Sequence, residues 1–550
     1  MAGASPVIVA RESRRCLPPG GSARGRWAAR LASTRKGTDV SETRWILVRL
    51  FACSVLSACS VPVPLQATLP SESPTLSPTK APATSTPSPT ATPTPYPTPD
   101  LPPGALPVQI HFPGLQQHEQ QGRVRADLNI AASPGVVVLT SNDELAILDK
   151  TGGLIAAGDL RSFFRPVLTA DNEDVVDPRL SFDATSGRFL LSAKAHFLED
   201  AECFPICPTA IVLAVSRASD PDSFDPNQWI MHRLDAKVEY NVTGINQVEP
   251  NSTPDFDSLA TTDNFVVISY QVNRASDEHN LHSVLRVVPK EDMLSDEADI
   301  EWRDITLQKD ATGMYPLFLP ALGDPDADSL FLVDMQFGAC RILVGRLDAS
   351  TLELAIRSIP FTPCQYPPSA AQPSGPPLQF EAGVRERPVY HSGSLWLAST
   401  ITHIGALGPT AAVMILELDV SAWPQIGTNQ RLIVADDHVD NFLPALAVAP
   451  NSAVIAVFSC SGGEMFLAIC ATGRLGSDPL GELRPVSVLR QGIGSLDFGL
   501  PDGSNPFEDY PGAWLDPDLQ TVWVTAALQT DLPDVQNDRW YSWVFRIRLE

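Results

Sequence analysis

From Leu106 onward the apolar positions do not recur at helical spacing. Short runs rich in Val, Ile, Leu, Phe and Trp alternate with Gly/Asp/Asn/Pro turns, the pattern of short β-strands joined tightly. A unit recurs at a spacing of about 60 residues. Its first strand is small and apolar and often starts beside an acid. A tight Asp/Gly/Asn hairpin follows, and the second strand is more strongly apolar. The units begin with ADLNIAASPGVVVLTSNDELAILDK (126–150), DPRLSFDATSGRFLLSA (177–193), DFDSLATTDNFVVISYQV (255–272), LPALGDPDADSLFLVDMQF (319–337), RERPVYHSGSLWLAST (385–400), LPALAVAPNSAVIAVFS (443–459) and DYPGAWLDPDLQTVWVTAAL (509–528). Further strands follow several of these, such as AIVLAVSRASDP (210–221), RILVGRLD (341–348), AAVMILELD (411–419) and WYSWVFRIRL (540–549).

Seven units of about four strands each predict an all-β domain over 106–550, a seven-bladed β-propeller. Six or eight blades, or two β-sandwiches, fit the same pattern less closely. The last unit shows three clear strands. The apolar segment Pro107 to Phe112 would supply a fourth, close the ring and remove exposed edges.

The pattern changes upstream. Residues 1–43 are Arg-, Gly- and Ala-rich without an apolar core, and read as a disordered extension or one that is not native, with translation starting near Val40 to Val48. Residues 44–58 have the form of an export signal: Arg44 and Arg49, a short apolar run from Leu50, then Leu56-Ser57-Ala58 before Cys59. This run is too short to span a bilayer, which takes about 20 apolar residues. It resembles the bacterial lipobox, and that resemblance implies a diacylated Cys59 as the new N-terminus. Residues 59–105 follow as a Pro/Thr-rich tether, including SPTLSPTKAPATSTPSPTATPTPYPTPDLPPG from Ser73. Such a segment cannot build a core and favours an extended chain, with a reach on the order of 120 Å.

Charge sharpens this picture. The whole chain carries 39 Lys+Arg and 64 Asp+Glu, net −25. Ten of the bases and three of the acids precede Cys59, leaving 39 − 10 = 29 and 64 − 3 = 61, a difference of −32. A body this acidic repels nucleic acid and anionic headgroups. Membrane contact is therefore expected only through the lipid, in an extracytoplasmic protein anchored to a bacterial membrane and exposed at the cell surface or in the periplasm. Six cysteines lie in the body: Cys203, Cys207, Cys340, Cys364, Cys460 and Cys470. An even number in an exported chain suggests disulfides, with 15 pairings open. The local pairs 203–207, 340–364 and 460–470 are favoured, because each closes a loop within one unit. Zinc at Cys203–Cys207 would need a second well-spaced Cys/His pair, which the sequence lacks.

At this point the segments resemble a family of secreted bacterial β-propeller proteins of mostly undefined role. NDELAILDKTGGLIAAGDLRSFF is similar to that family's opening blade, VDPRLSFDATSGRFLLSA with VLAVSRASDP to its second, TPDFDSLATTDNFVVISYQV with VVPKEDML to its third, and FEDYPGAWLDPDLQTVWVTAAL with WYSWVFRIRL to its last. The resemblance implies the fold and brings no catalytic residues with it.

Candidate chemistry is sparse. No HExxH, GxSxG or phosphate loop occurs. Asp127, Asp177, Asp255, Asp257, Asp440 and Asp509 sit near the starts of first strands, which in a propeller approach one end of the central channel. Their oxygens are the ligands Ca²⁺ takes, and single Asp side chains also cap turns. No other cofactor is indicated. Asp324-Pro-Asp326-Ala-Asp328 and Ser181-Phe-Asp183-Ala-Thr-Ser-Gly187 read as hairpins. Arg179, Arg385 and Arg387 lie near first-strand starts and would converge. The aromatics Trp302, Trp396, Trp523, Trp540 and Trp543 read as core, with a sugar-stacking face as the alternative.

The expected function is a non-catalytic, monomeric surface module binding an extracellular protein or glycan. The alternative is a sialidase-like glycoside hydrolase or a polysaccharide lyase, which requires Arg, Tyr and carboxylates gathered within hydrogen-bond reach at the channel mouth; a mouth lined by small and apolar residues would exclude it.

Overall fold

The computed structural model describes residues 10–12, 99–117, 125–197, 209–236, 240–242, 245–247, 252–274, 280–297, 300–309, 312–323, 326–529 and 539–549. The segment expected to be an export signal, Cys59, most of the Pro/Thr-rich stretch and the Cys203/Cys207 pair lie outside them. Seven antiparallel sheets, six of four strands and one of five, follow one another along the chain. Blade 1 spans Asn129–Asp159, blade 2 Glu173–Asp235, blade 3 Ser252–Leu307, blade 4 Leu319–Pro360, blade 5 Val389–Val434 and blade 6 Val439–Gln491. Blade 7 combines Gly512–Leu515, Thr521–Leu528 and Tyr541–Arg548 with Val108–Gln116, which pairs outside Tyr541–Arg548. The chain is thus a seven-bladed β-propeller, closed by the apolar segment that follows the tether. Ala10–Glu12 adds a short strand outside blade 3, antiparallel to Arg303–Ile305.

Each strand alternates side chains between the two neighbouring blades, so the core is divided among the blade interfaces. One cluster joins blades 1 and 2 through Ile147, Phe163, Leu180 and Val212. Another joins blades 6 and 7 through Ile455, Val457, Trp543 and Phe545. Trp396, Trp523, Trp540 and Trp543 are fully buried, so four of the five tryptophans named above are packing residues. The fifth, Trp302, lies under the Arg286 guanidinium, 4.8 Å from it.

The inner strands begin alike. Asp177-Pro178-Arg179, Leu443-Pro444-Ala445 and Tyr510-Pro511-Gly512 occupy the same place, with Arg179, Ala445 and Gly512 opposite Ser192, Val457 and Thr525. Asp127-Leu128-Asn129 is the blade 1 counterpart. Asp127, Asp177 and Leu443 all take positive φ, at 46°, 58° and 50°, which turns the chain into the channel from the upper face, the one at which the inner strands start. Proline is tolerated next because an inner strand is an edge with no ladder partner on the channel side. At Gly512 the approach to blade 1 is tight, and a Cβ there would lie 3.0 Å from the Ile130 backbone nitrogen.

The expected pairs Cys340–Cys364 and Cys460–Cys470 both form disulfides. They differ in access. Cys460 and Cys470 are buried at 0% and 2% exposure, whereas Cys340 is exposed and Cys364 half-buried. Attack on a disulfide requires access to a sulfur. A thiol reductant under native conditions should therefore open Cys340–Cys364 first. Differential alkylation with mass spectrometry reads this, and equal rates would contradict it. The Asp326/Asp328 and Asp183/Gly187 segments are hairpins, Gly187 supplying φ 64°. Among the described residues no helix is long and apolar enough to cross a membrane.

Candidate functional site

The channel is not an open pore. The connector from blade 4 to blade 5, residues 361–388, turns into it. Ala370 and Leu378 exchange backbone hydrogen bonds of 2.9 and 2.8 Å, and both are fully buried. The blade 6 to blade 7 connector holds this hairpin. Gln372 donates to the Leu496 carbonyl at 2.9 Å and accepts from the Leu496 N–H at 2.8 Å. Gln379 accepts from the Phe507 N–H at 2.9 Å. Phe380 stacks on Phe442, with ring centroids 4.7 Å apart.

The plug ends in Arg385-Glu386-Arg387. Glu386 lies between two buried arginines, accepting from Arg179 Nη1 at 2.8 Å and from Arg387 Nε at 3.0 Å. Arg387 also reaches the Leu180 carbonyl at 2.8 Å, Asn129 Oδ1 at 3.2 Å and the Leu259 carbonyl at 3.3 Å. It thereby ties the plug to the inner strands of blades 1, 2 and 3. Arg179 lies over the Tyr510 ring, 3.3 Å from its centre, and the Tyr510 hydroxyl donates to the Pro178 carbonyl at 3.2 Å. Burial lowers the Arg387 pKa, with Arg179 nearby adding to that and Glu386 opposing it.

Above this clamp, the starts of the inner strands gather mixed charge. Lys194 Nζ bridges Asp177 and Asp255 at 3.0 and 3.1 Å, its side chain 14% exposed. Burial works against its charge, but the two carboxylates outweigh it and raise its pKa. Arg125 pairs with Asp509 at 2.6 Å. Asp127 is buried and accepts from Asn142 Nδ2 at 2.6 Å and the Asp509 N–H at 2.7 Å. Asn142 in turn accepts from the Asp177 N–H at 2.7 Å. Burial first, then the Asp509 and Asp177 charges, push the Asp127 carboxyl up to about 8. Burial likewise raises Glu508, with Asp127 adding to the effect. Asp177 stays below the usual range, because Lys194 more than offsets its burial.

These shifts give a direction for stability. Asp127 binds its proton more tightly in the fold than the unfolded chain does. Its contribution is complete below the ordinary carboxylate pKa and is lost as pH rises through about 8. The urea midpoint should fall between pH 7 and pH 9, above the range in which the buried His232 and His282 contribute in the opposite direction, and Asp127→Asn should flatten that fall. An unchanged slope in the variant would contradict the assignment.

The sequence candidates are therefore partly united. Asp127, Asp177, Asp255 and Asp509 meet at one end of the channel, as do Arg179, Arg385 and Arg387. Asp440 is elsewhere, accepting from the Ala371 and Ala411 N–H groups at 2.9 and 2.8 Å. The side chain of Asp257 lies outside what is described. Among the described residues no three His, Cys, Asp or Glu side chains are placed to hold a metal; the aspartates brought together bind Lys194, Arg125, Asn142 and a backbone N–H. The sequence reading missed Glu386, Lys194, Arg125 and Tyr510. Glu386 stands between two of the arginines that were singled out, and Tyr510 shares the inner-strand position of Asp177; those were the available signals.

No protein-family model matches the chain, and no curated protein resembles it in sequence. Among solved structures it is similar to the phage phi92 endosialidase, at 9% identity and a TM-score of 0.40, over 80% of this chain and 69% of that one. A protein of unknown function from Dyadobacter fermentans DSM 18053 matches at 13% identity and 0.27, over 57% and 98%. The WD40 domain of SCAP from fission yeast matches at 9% and 0.29, over 76% and 81%. Likenesses of this depth carry no functional argument.

Proposed function

We propose that this chain is a non-catalytic propeller module that binds an extracellular protein or glycan through its upper face. It acts as an extracytoplasmic monomer held at a bacterial membrane by a lipid on Cys59 and a Pro/Thr-rich tether. The acidic body and the two disulfides suit that setting. The observation that carries the reading is the clamp. The channel mouth does gather Arg, Tyr and carboxylates, as the enzyme alternative requires, but Arg179 and Arg387 are buried and bonded to Glu386 and to backbone carbonyls, while Arg385 pairs with the half-exposed Glu381. The tyrosine of the same cluster has its ring under Arg179 and its hydroxyl on Pro178.

The test is to screen the full chain on a glycan array and against extracellular polysaccharides, while following product release by mass spectrometry. Binding without turnover is expected. Sugar release or unsaturated product that disappears in Arg179→Met would overturn the reading in favour of a hydrolase or lyase.

A further inference from the structure

One aromatic ring on the upper face is held as a platform. Tyr366, on the plug connector, is 68% exposed and is the aromatic side chain among the exposed large hydrophobics of the described residues. One face of its ring stacks on Phe337, with centroids 5.1 Å apart and planes 27° apart. Phe337 is itself 4% exposed and packs edge-on against Phe361 at 5.3 Å. The backbone around Tyr366 is fixed on both sides. Cys364, two residues before, is bonded to Cys340. The Gln365 carbonyl accepts from Thr402 Oγ1 at 2.9 Å. Pro367 and Pro368 follow, each locking its φ. The ring is therefore ordered before any ligand arrives, which removes most of the entropy cost of using it.

The same connector carries hydrogen-bonding groups. The chain at Gly383 passes beside Phe337, since a Cβ there would lie 3.8 Å from that ring. This brings in the Arg385–Glu381 pair, whose glutamate is 50% exposed. A flat, rigidly held ring on a connector that also carries this charged pair suits a pyranose, which has an apolar C–H face and a polar rim. The net charge of −25 disfavours anionic sugars.

We infer that Tyr366 is the stacking residue of a binding site for an uncharged saccharide, with the Cys340–Cys364 disulfide holding the platform in place. This rests on the binding-module reading above and specifies its ligand.

The test uses the full chain with four soluble probes: a β-glucan, a xylan, a mannan and a chitooligosaccharide. Affinity is read by isothermal calorimetry for the unaltered chain, Tyr366→Ala, Tyr366→Phe and the double variant Ile404→Ser/Leu407→Ser. Ile404 and Leu407 are the exposed apolar residues of the adjacent blade 5 hairpin, at 63% and 66%. An exposed residue can be changed without disturbing the core, and melting curves confirm that each variant folds. Binding of at least one probe is expected, weakened about tenfold or more by Tyr366→Ala and little changed by Tyr366→Phe or by the double variant. Sugar binding that survives Tyr366→Ala would overturn the site and leave the binding module standing. No binding to any of the four probes would also overturn it. So would capture of a protein that depends on Ile404 and Leu407, which would make this face a protein-docking surface. Turnover of a probe would instead overturn the non-catalytic reading.

Discussion

Glu386→Gln is expected to destabilise the propeller by about 3–5 kcal/mol. The carboxylate is the counter-charge to two guanidiniums that are 1% and 2% exposed. Without it, Arg179 and Arg387 remain buried with like charges facing each other and no anion between them. Urea or thermal denaturation of the full chain reads the effect. Arg179→Met in the same chain should recover part of the loss, because it removes one of the uncompensated charges. That makes a double-mutant cycle a measure of the clamp itself. A Glu386→Gln protein as stable as the unaltered chain would mean that the buried arginines are satisfied without the plug.

Removing Val108–Gln116 is expected to prevent a stable monomer altogether. This strand covers the outer edge of Tyr541–Arg548, and its Phe112 and Leu115 are 7% and 4% exposed within the core. Phe112 packs against Trp523, and the Leu115 N–H donates to Ser542 Oγ at 2.6 Å. Its loss would uncover an edge strand carrying Trp543, Phe545 and Ile547, a template for pairing between chains. Size-exclusion chromatography with light scattering should show aggregates in place of a monomer. A monodisperse protein with unchanged melting would contradict the closure.

The blades were legible in the sequence because each repeats the same local physics. A small inner strand, a hairpin with Asp or Gly at its special backbone angles, and a strongly apolar second strand recur often enough to count. The closing strand was legible as well, since Pro107 to Phe112 is apolar where the tether is not. The two disulfides followed from loop closure within one blade. The convergence of the three arginines and of Asp127, Asp177, Asp255 and Asp509 followed from geometry, because inner strands of a propeller start at one end of the channel; Asp440 did not join them.

What those side chains do there was not legible. The connector CQYPPSAAQPSGPPLQFEAGVRER has no periodicity, and its Pro, Gly and Ser content reads as surface loop. Its conformation is set by Asn129, Leu180, Leu259, Asp440, Phe442 and Leu496, residues far away in the chain. The set of six aspartates suggested a Ca²⁺ ring. Nothing local signals that Lys194, one strand over, lies between two of them, or that Asp127 is held by Asn142 and a backbone N–H. Tyr366 escaped notice for the same reason: its exposure depends on Phe337 and the Cys340–Cys364 bridge beneath it.

The central claim is that the channel charges form a closed structural clamp seated by the plug. Amide hydrogen exchange of the full chain tests it most directly. The Ala370, Leu378 and Gln379 N–H groups should exchange as slowly as those of the second strands Val136–Thr140 and Thr521–Leu528. Rapid exchange at the three plug positions, with those strands still protected, would show a plug that opens and an Arg179–Glu386–Arg387 cluster accessible to a substrate, and would contradict the claim.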